Sequence, residues 1–211
     1  LKTNAIKLLV GIEYFVFDPE DILFIGQERI ISDVANKILI TAGGSDPKEI
    51  TLDLFNAMTL VNTVDLELKI VIGPAFNEKQ VNELVERTEI SKIKIELITA
   101  PRSLSRLMLW SDFAISTSGL TKYLLAATGT PSILISIDED HAEANKTFNK
   151  LNSSCHLGAI NNLSEYTITK EVEKLMNCKS KRITMSEAGM KSIDGKGNCR
   201  IIKELQNYSI A

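Results

Sequence analysis

The chain has 211 residues, 44% of them hydrophobic and 24% charged, with a formal net charge of -3 at pH 7. This length and apolar content suit one folded domain with appendages and argue against disorder. With no basic surplus, non-specific nucleic-acid binding is disfavoured, and no apolar run reaches the roughly 20 residues of a membrane-spanning helix.

Cys155, Cys178 and Cys199 are odd in number and widely spaced. The spacing argues against a disulfide framework, offers no zinc pattern and fits a reducing cytoplasm. His141 and His156 are too few for a His-rich metal site.

In chain order, the first apolar stretch runs from Ile6 to Phe17, is interrupted by Gly11 and ends at Asp18-Pro19. It predicts an extended lead-in rather than a core strand. Glu20 to Ser32 can carry a short helix. From Lys37 onward strands and helices alternate. Lys37–Ala42 predicts a strand. After Pro47, residues Ile50, Leu54, Ala57, Met58 and Val61 follow helical spacing, with Ser45 or Asp46 as cap and Pro47 in the first turn. Leu66–Ile72 is a strand stopped by Gly73-Pro74, and Glu78–Thr88 a helix with Val81, Leu84 and Val85 on one face. A strand at Lys94–Thr99, a helix at Ser103–Leu109, a strand at Asp112–Thr117, a helix at Leu120–Thr128 and a strand at Ser132–Ile137 follow. Then come a helix at His141–Leu151, a short strand at Ser154–Leu157, and helices at Ser164–Met176, Ser180–Ser192 and Cys199–Gln206.

Repeated β-α-β units imply a Rossmann-like α/β fold: a mostly parallel sheet with helices on both faces. The expected division is a lead-in or interdomain linker over 1–36, a ligand-binding domain over 37–192 and a C-terminal helix over 193–211 packed on it.

Two turns at strand ends carry the functional signal. One is Ala42-Gly43-Gly44-Ser45-Asp46-Pro47 and the other Thr117-Ser118-Gly119-Leu120-Thr121. Small residues admit a ligand close to the backbone, and a helix start beyond each turn offers free amides to phosphate. Two such turns suggest a pyrophosphate-containing ligand such as a nucleotide-sugar. The alternatives are a tight strand-to-helix connection at Gly43-Gly44 and plain helix capping at Thr117 or Ser118. Neither turn is a G-x-G-x-x-G or Walker motif, so dinucleotide and ATPase chemistry are poorly supported. Gly73-Pro74 ends a strand on the same sheet edge, where chain reversal is the simpler reading. His141 opens a helix after the acidic run Asp138-Glu139-Asp140 and can donate to a ligand or stand as an exposed cap. His156, within a strand, reads as structural.

The motifs occur in a recognisable order: strand-G-G-S-D-P, strand-I-G-P-A-F, D-x-x-I-S-x-x-G-x-T-x-Y and G-x-P-S-I-x-I-S. His141, Leu157-Gly158 and Ile193-Asp194-Gly195-Lys196-Gly197 follow. Together they resemble the C-terminal half of the UDP-sugar hydrolases of pseudaminic acid synthesis and the related spore-coat polysaccharide proteins. Val10-Gly11-Ile12-Glu13-Tyr14 to Pro19 resembles the segment joining the two halves there. That group is similar in fold to the GT-B glycosyltransferases, including the lipid II GlcNAc-transferase, in which two Rossmann-like domains flank a cleft.

The resemblance implies a UDP or UDP-sugar ligand. Gly43, Gly44, Ser45 and Asp46 would line the cleft, Ser118, Gly119, Leu120 and Thr121 would cradle the diphosphate, and His141 would face the sugar. It also implies that the catalytic histidine belongs to an N-terminal domain this chain lacks, supplied in a longer protein or by a partner subunit. Two departures stand out. The family commonly has two glycines where Ser118-Gly119 stands, and a ribose-binding Glu often follows the Tyr, where this chain has Leu124 after Tyr123. Losing a charge-assisted hydrogen bond costs about 1.5–3 kcal/mol. Three readings stay open: a half of a hydrolase or transferase, a non-catalytic UDP-binding subunit of a split glycosyltransferase, and a degenerate regulatory domain.

Overall fold

The computed structural model describes residues 7–63, 65–117 and 119–208. Strands β1 (Lys37–Thr41), β2 (Glu67–Ile72), β3 (Lys94–Thr99), β4 (Phe113–Ser116), β5 (Ser132–Ser136) and β6 (Ser154–Ala159) form a sheet in the order β3-β2-β1-β4-β5-β6. Every pairing is parallel. The helices are α1 (Pro19–Ile22), α2 (Ile50–Thr59), α3 (Glu78–Ile90), α4 (Ser105–Trp110), α5 (Thr121–Ala127), α6 (Glu139–Lys150), α7 (Glu165–Asn177), α8 (Lys179–Ser192) and α9 (Gly197–Tyr208). The fold is the expected Rossmann-like α/β arrangement.

The continuous apolar runs of the central strands follow from burial on both faces. Successive residues alternate between two cores, as the pleat requires. Ile38, Ile40, Ile115, Ile133 and Ile135 enter one core with α2 and α7. Leu39, Ala114 and Leu134 enter the other with Leu124–Ala127 of α5 and Phe148 of α6. Gly73 allows β2 to exit close to its neighbour: an ideal Cβ there would lie 2.4 Å from the carbonyl oxygens of both Gly43 and Gly44.

Asp112 sets the alignment of β1 beside β4. Its carboxylate accepts from the amides of Asn36 and Lys37, each at 2.9 Å, and its own amide donates to Lys37 O at 2.8 Å. The buried Arg182 of α8 donates to the carbonyls of Leu175 and Met176 at the end of α7, and to Ser32 O in the incoming chain. These bonds satisfy carbonyls that a helix end leaves without partners.

Among the described residues, the lead-in does not form a strand. Phe17 is buried in the second core, and it exchanges two 3.1 Å hydrogen bonds with the Asn198 side chain of α9. Phe15 stacks on Tyr123 of α5 with centroids 4.0 Å apart, and Tyr123 meets Phe148 edge-on at 5.0 Å. The first helix is shorter than the sequence predicts. Asp18 caps it and Pro19 starts it, but after Ile22 the chain turns through Gly26 (φ 72°) and runs on without helix to β1. Arg29 holds this passage by donating to the carbonyls of Met108 and Ser111.

Candidate functional site at the sheet switch point

The strand order places the reversal of winding between β1 and β4. In open parallel sheets the crevice at the carboxyl ends of these strands is where ligands bind. Both turns singled out in the sequence border it. Thr117 N donates to Thr41 O at 3.4 Å, and an ideal Cβ on Gly43 would lie 3.9 Å from Thr117 Oγ1. Ser118, expected in the diphosphate cradle, lies outside the described residues.

Glycine has two different uses here. Gly43 has φ 83°, a left-handed conformation that disfavours a side chain. Gly44 and Gly119 are exposed, and an ideal Cβ on either meets no described atom within 4 Å. At those two positions the chain's own packing gives no reason for lacking a side chain. Leu120 is exposed and Thr121 half-buried, opening α5 beside the crevice.

The first turn differs from the expectation in one respect. Its helix does not begin at Pro47. Asp46 and Glu49 adopt positive φ (42° and 54°), and α2 starts only at Ile50. Asp46 is buried, and its carboxylate accepts from Ile50 N at 2.9 Å and Thr51 N at 2.8 Å. These amides, expected to be free for phosphate, are therefore taken by an internal carboxylate. Gln80 of α3 fixes the same turn by donating to Asp46 O at 2.9 Å. Gly43 is half-buried, and Gly44 and Ser45 stay exposed at the rim.

Gly73 and Pro74 sit next to this rim. The Ala75 amide donates to Gly44 O at 2.9 Å, so the β2 exit braces the β1 turn. His141 is the third residue of α6 rather than its first. Its amide and its Nδ1 both approach Asp138 Oδ1, at 2.9 and 2.6 Å. A carboxylate oxygen only accepts, so Nδ1 carries the hydrogen and Nε2 is the acceptor of the neutral ring. The hydrogen bonds from His141 hold the Asp138 carboxyl below the ordinary carboxylate range. The acidic run thus spends Asp138 on its own helix start. Leu124 is buried among the apolar residues of the second core.

A buried polar chain beside the crevice was missed by sequence reasoning. Lys122 Nζ donates to Asn145 Oδ1 (3.0 Å), Asn145 Nδ2 donates to Ser136 Oγ (2.9 Å), and Ser136 Oγ meets His156 Nε2 (2.8 Å). Lys122, Asn145 and Ser136 are buried. Burial, then the charges of Lys146 and Lys122, lower the His156 pKa, while burial lowers that of Lys122. The signal in the sequence was Lys122, directly before the apolar run Tyr123-Leu124-Leu125-Ala126-Ala127.

No family model matches the chain. Over 202 residues it is 25% identical to the spore coat polysaccharide biosynthesis protein SpsG of Bacillus subtilis, an alignment covering 95% of this chain and 58% of SpsG. The chain thus spans little more than half the length of that relative. MurG of Acinetobacter baumannii superposes with a TM-score of 0.71 at 15% identity, covering 83% of this chain and 51% of MurG. HepE of Anabaena, in a structure with UDP-glucose, superposes with a TM-score of 0.63 at 12% identity, covering 94% of this chain and 56% of HepE. The fold is that of one half of a GT-B glycosyltransferase. SpsG is a relative of this chain in sequence. Among the described residues, no helix is long and apolar enough to cross a membrane.

Proposed function

We propose that this chain is the nucleotide-sugar-binding half of a GT-B-like enzyme of surface polysaccharide or nonulosonic acid synthesis, and that UDP or a UDP-sugar occupies the crevice. The observation that carries this reading is the pair of open glycines, Gly44 and Gly119, on the two turns that flank the switch point. The name of SpsG and the UDP-glucose held by HepE support the ligand class.

In this reading the turn from Gly119 to Thr121 receives the diphosphate, with Gly43, Gly44 and Ser45 across from it and Gly73 and Pro74 bracing the rim. His141 stands over the sugar. Hydrolysis and glycosyl transfer both build negative charge on the departing diphosphate, and preorganised amide donors stabilise that charge. The general base and the acceptor site belong to the other half, in the same polypeptide or in a partner subunit. Three unpaired thiols accord with a reducing compartment, and we assign the cytoplasm. A second reading, a degenerate domain that has lost nucleotide affinity, is favoured by one feature, the buried Leu124 where the family often has a ribose-binding acid.

Calorimetric titration with UDP, CDP, ADP and phosphate tests the proposal. UDP is expected to bind at micromolar to sub-millimolar strength, and Gly119→Asp to abolish binding while leaving the melting temperature nearly unchanged, since space is open there. Absence of nucleotide binding by the unaltered chain would favour the degenerate domain.

A further inference from the structure

We propose that a cavity at the amino end of β6, on the edge of the sheet opposite to the crevice, binds a small oxyanion of the phosphate type, held by Lys181, Asn149 and Ser154. The inference is independent of the nucleotide reading, since it concerns other residues at the other end of the strands.

Ser154 opens β6 beside Ser132, the first residue of β5, so the cavity lies at the amino ends of both strands. Its volume is about 250 Å3, and it is enclosed by the end of α6, the start of β6 and the first two turns of α8. Such a space is below the roughly 300–1,000 Å3 of pockets for drug-sized ligands and suits a small one. Among the described residues that line it, Lys181 is the one charged side chain, and none is a carboxylate. Glu171, which acts on the neighbouring Cys155 from α7, is paired with Lys174. Burial pushes the Cys155 thiol up although Lys181 draws it down, so the thiol stays neutral and does not cancel the ammonium's charge. Lys181 is the third residue of α8, where the positive end of the helix also favours an anion.

The hydrogen-bonding groups of the wall point the same way. The last carbonyls of α6 are already taken: Thr147 O accepts from Leu151 N, Phe148 O from Ser153 N and Oγ, and Asn149 O from Asn152 N. The donors are not. Asn149 Oδ1 accepts from His156 N at 3.3 Å, which fixes the orientation of the amide and leaves its NH2 group to donate. Ser154 is only 6% exposed, and its Oγ has no hydrogen-bond partner among the described residues. A sealed hydroxyl without a partner is unfavourable and marks a place where a further group belongs. A water would satisfy the hydroxyl, but it would not answer the ammonium beside it. A tetrahedral oxyanion does both.

The test is titration of the isotope-labelled chain with inorganic phosphate, followed by amide NMR, with sodium chloride at matched ionic strength as control. Saturable shifts are expected at Ser154, Cys155 and Lys181 with phosphate and not with chloride. Lys181→Gln should weaken them about tenfold, the scale of a charge-assisted contact, and Ser154→Ala about fivefold. In phosphate-free buffer Ser154→Ala should melt no lower than the unaltered chain, because the hydroxyl it deletes has no protein partner. Glycerol 3-phosphate, titrated in parallel, offers the same oxyanion on a larger molecule, and tighter binding than phosphate would support the site and identify a phosphorylated metabolite as its occupant. Shifts confined to Gly44 and Gly119 would overturn the inference and leave the nucleotide reading standing. Shifts at Ser154 that chloride reproduces, or that survive Lys181→Gln undiminished, would also overturn it.

Discussion

The amide of Thr117 donates to the carbonyl of Thr41 across 3.4 Å, joining the exits of β1 and β4 just where the winding of the sheet reverses. The two turns that border the crevice therefore rest on one rigid pair of strands. Asp112 locks the same pair at the opposite end, through the amides of Asn36 and Lys37. A crevice fixed at both ends of its parent strands is suited to preorganised binding.

Gly73→Ala tests how tightly the β1 turn is braced. The new Cβ would sit 2.4 Å from two backbone oxygens, which cannot swing aside as a side chain can. The turn must shift, at about 1–3 kcal/mol or more. Chemical denaturation should show this loss, whereas Gly44→Ala, with open space around it, should leave stability nearly unchanged.

Asp46 is expected to act as structure rather than as a ligand contact. Asp46→Ala removes both acceptors for Ile50 N and Thr51 N and puts alanine at φ 42°. The lost cap costs about 1–2 kcal/mol and the left-handed backbone about 1 kcal/mol more. Asp46→Asn keeps one acceptor and tolerates the backbone, so thermal melts should place it between the other two proteins.

Leu124→Glu introduces a carboxylate into the core shared by Leu39, Leu125 and Leu134. Burying it without a partner raises its pKa and destabilises the fold by several kcal/mol. A melting temperature within a degree or two of the unaltered chain would show that the side chain reaches the crevice instead.

The pH dependence of His156 has a definite sign. Burial, followed by the charges of Lys146 and Lys122, holds its pKa below 6.5, with Glu139 opposing. The unfolded chain, with an ordinary histidine near 6.5, takes up the proton first. Stability from this group is full above about pH 6.5 and declines as pH falls below it, until the folded-state pKa is reached. Melts of the unaltered chain should decline more between about pH 7 and pH 5 than melts of His156→Gln. Parallel declines would mean that His156 titrates freely.

The six strands of the sheet were legible from the sequence to within two residues: the central ones because strands buried on both faces read as near-continuous apolar runs, and the edge strand Lys94–Thr99 because its apolar and polar residues alternate. The crevice was legible for a related reason: glycine-bearing turns at strand ends mark the carboxyl edge. The start of α2 was not. Proline after Asp46 suggested an immediate helix, but two residues with positive φ delay it, and no local pattern announces that. The Lys122–Asn145–Ser136–His156 chain draws on α5, α6, β5 and β6, so only the tertiary fold brings it together.

The clamp between Phe17 and Asn198 joins residues 181 positions apart, and Arg200 to Glu13 O spans 187. Closing such long loops carries the largest entropy penalty in the chain, so these contacts are expected to form last and open first. The local sheet pairings, β1 with β2 and β4 with β5, precede them. Amide exchange should then show Phe17 losing protection well before Ile40 or Ile133. Each such opening would peel Phe15 off Tyr123, the neighbour of Lys122, while the sheet stays intact. The seam where the lead-in meets α9 is thus the kinetic weak point of the molecule, and it abuts the helix that borders the crevice.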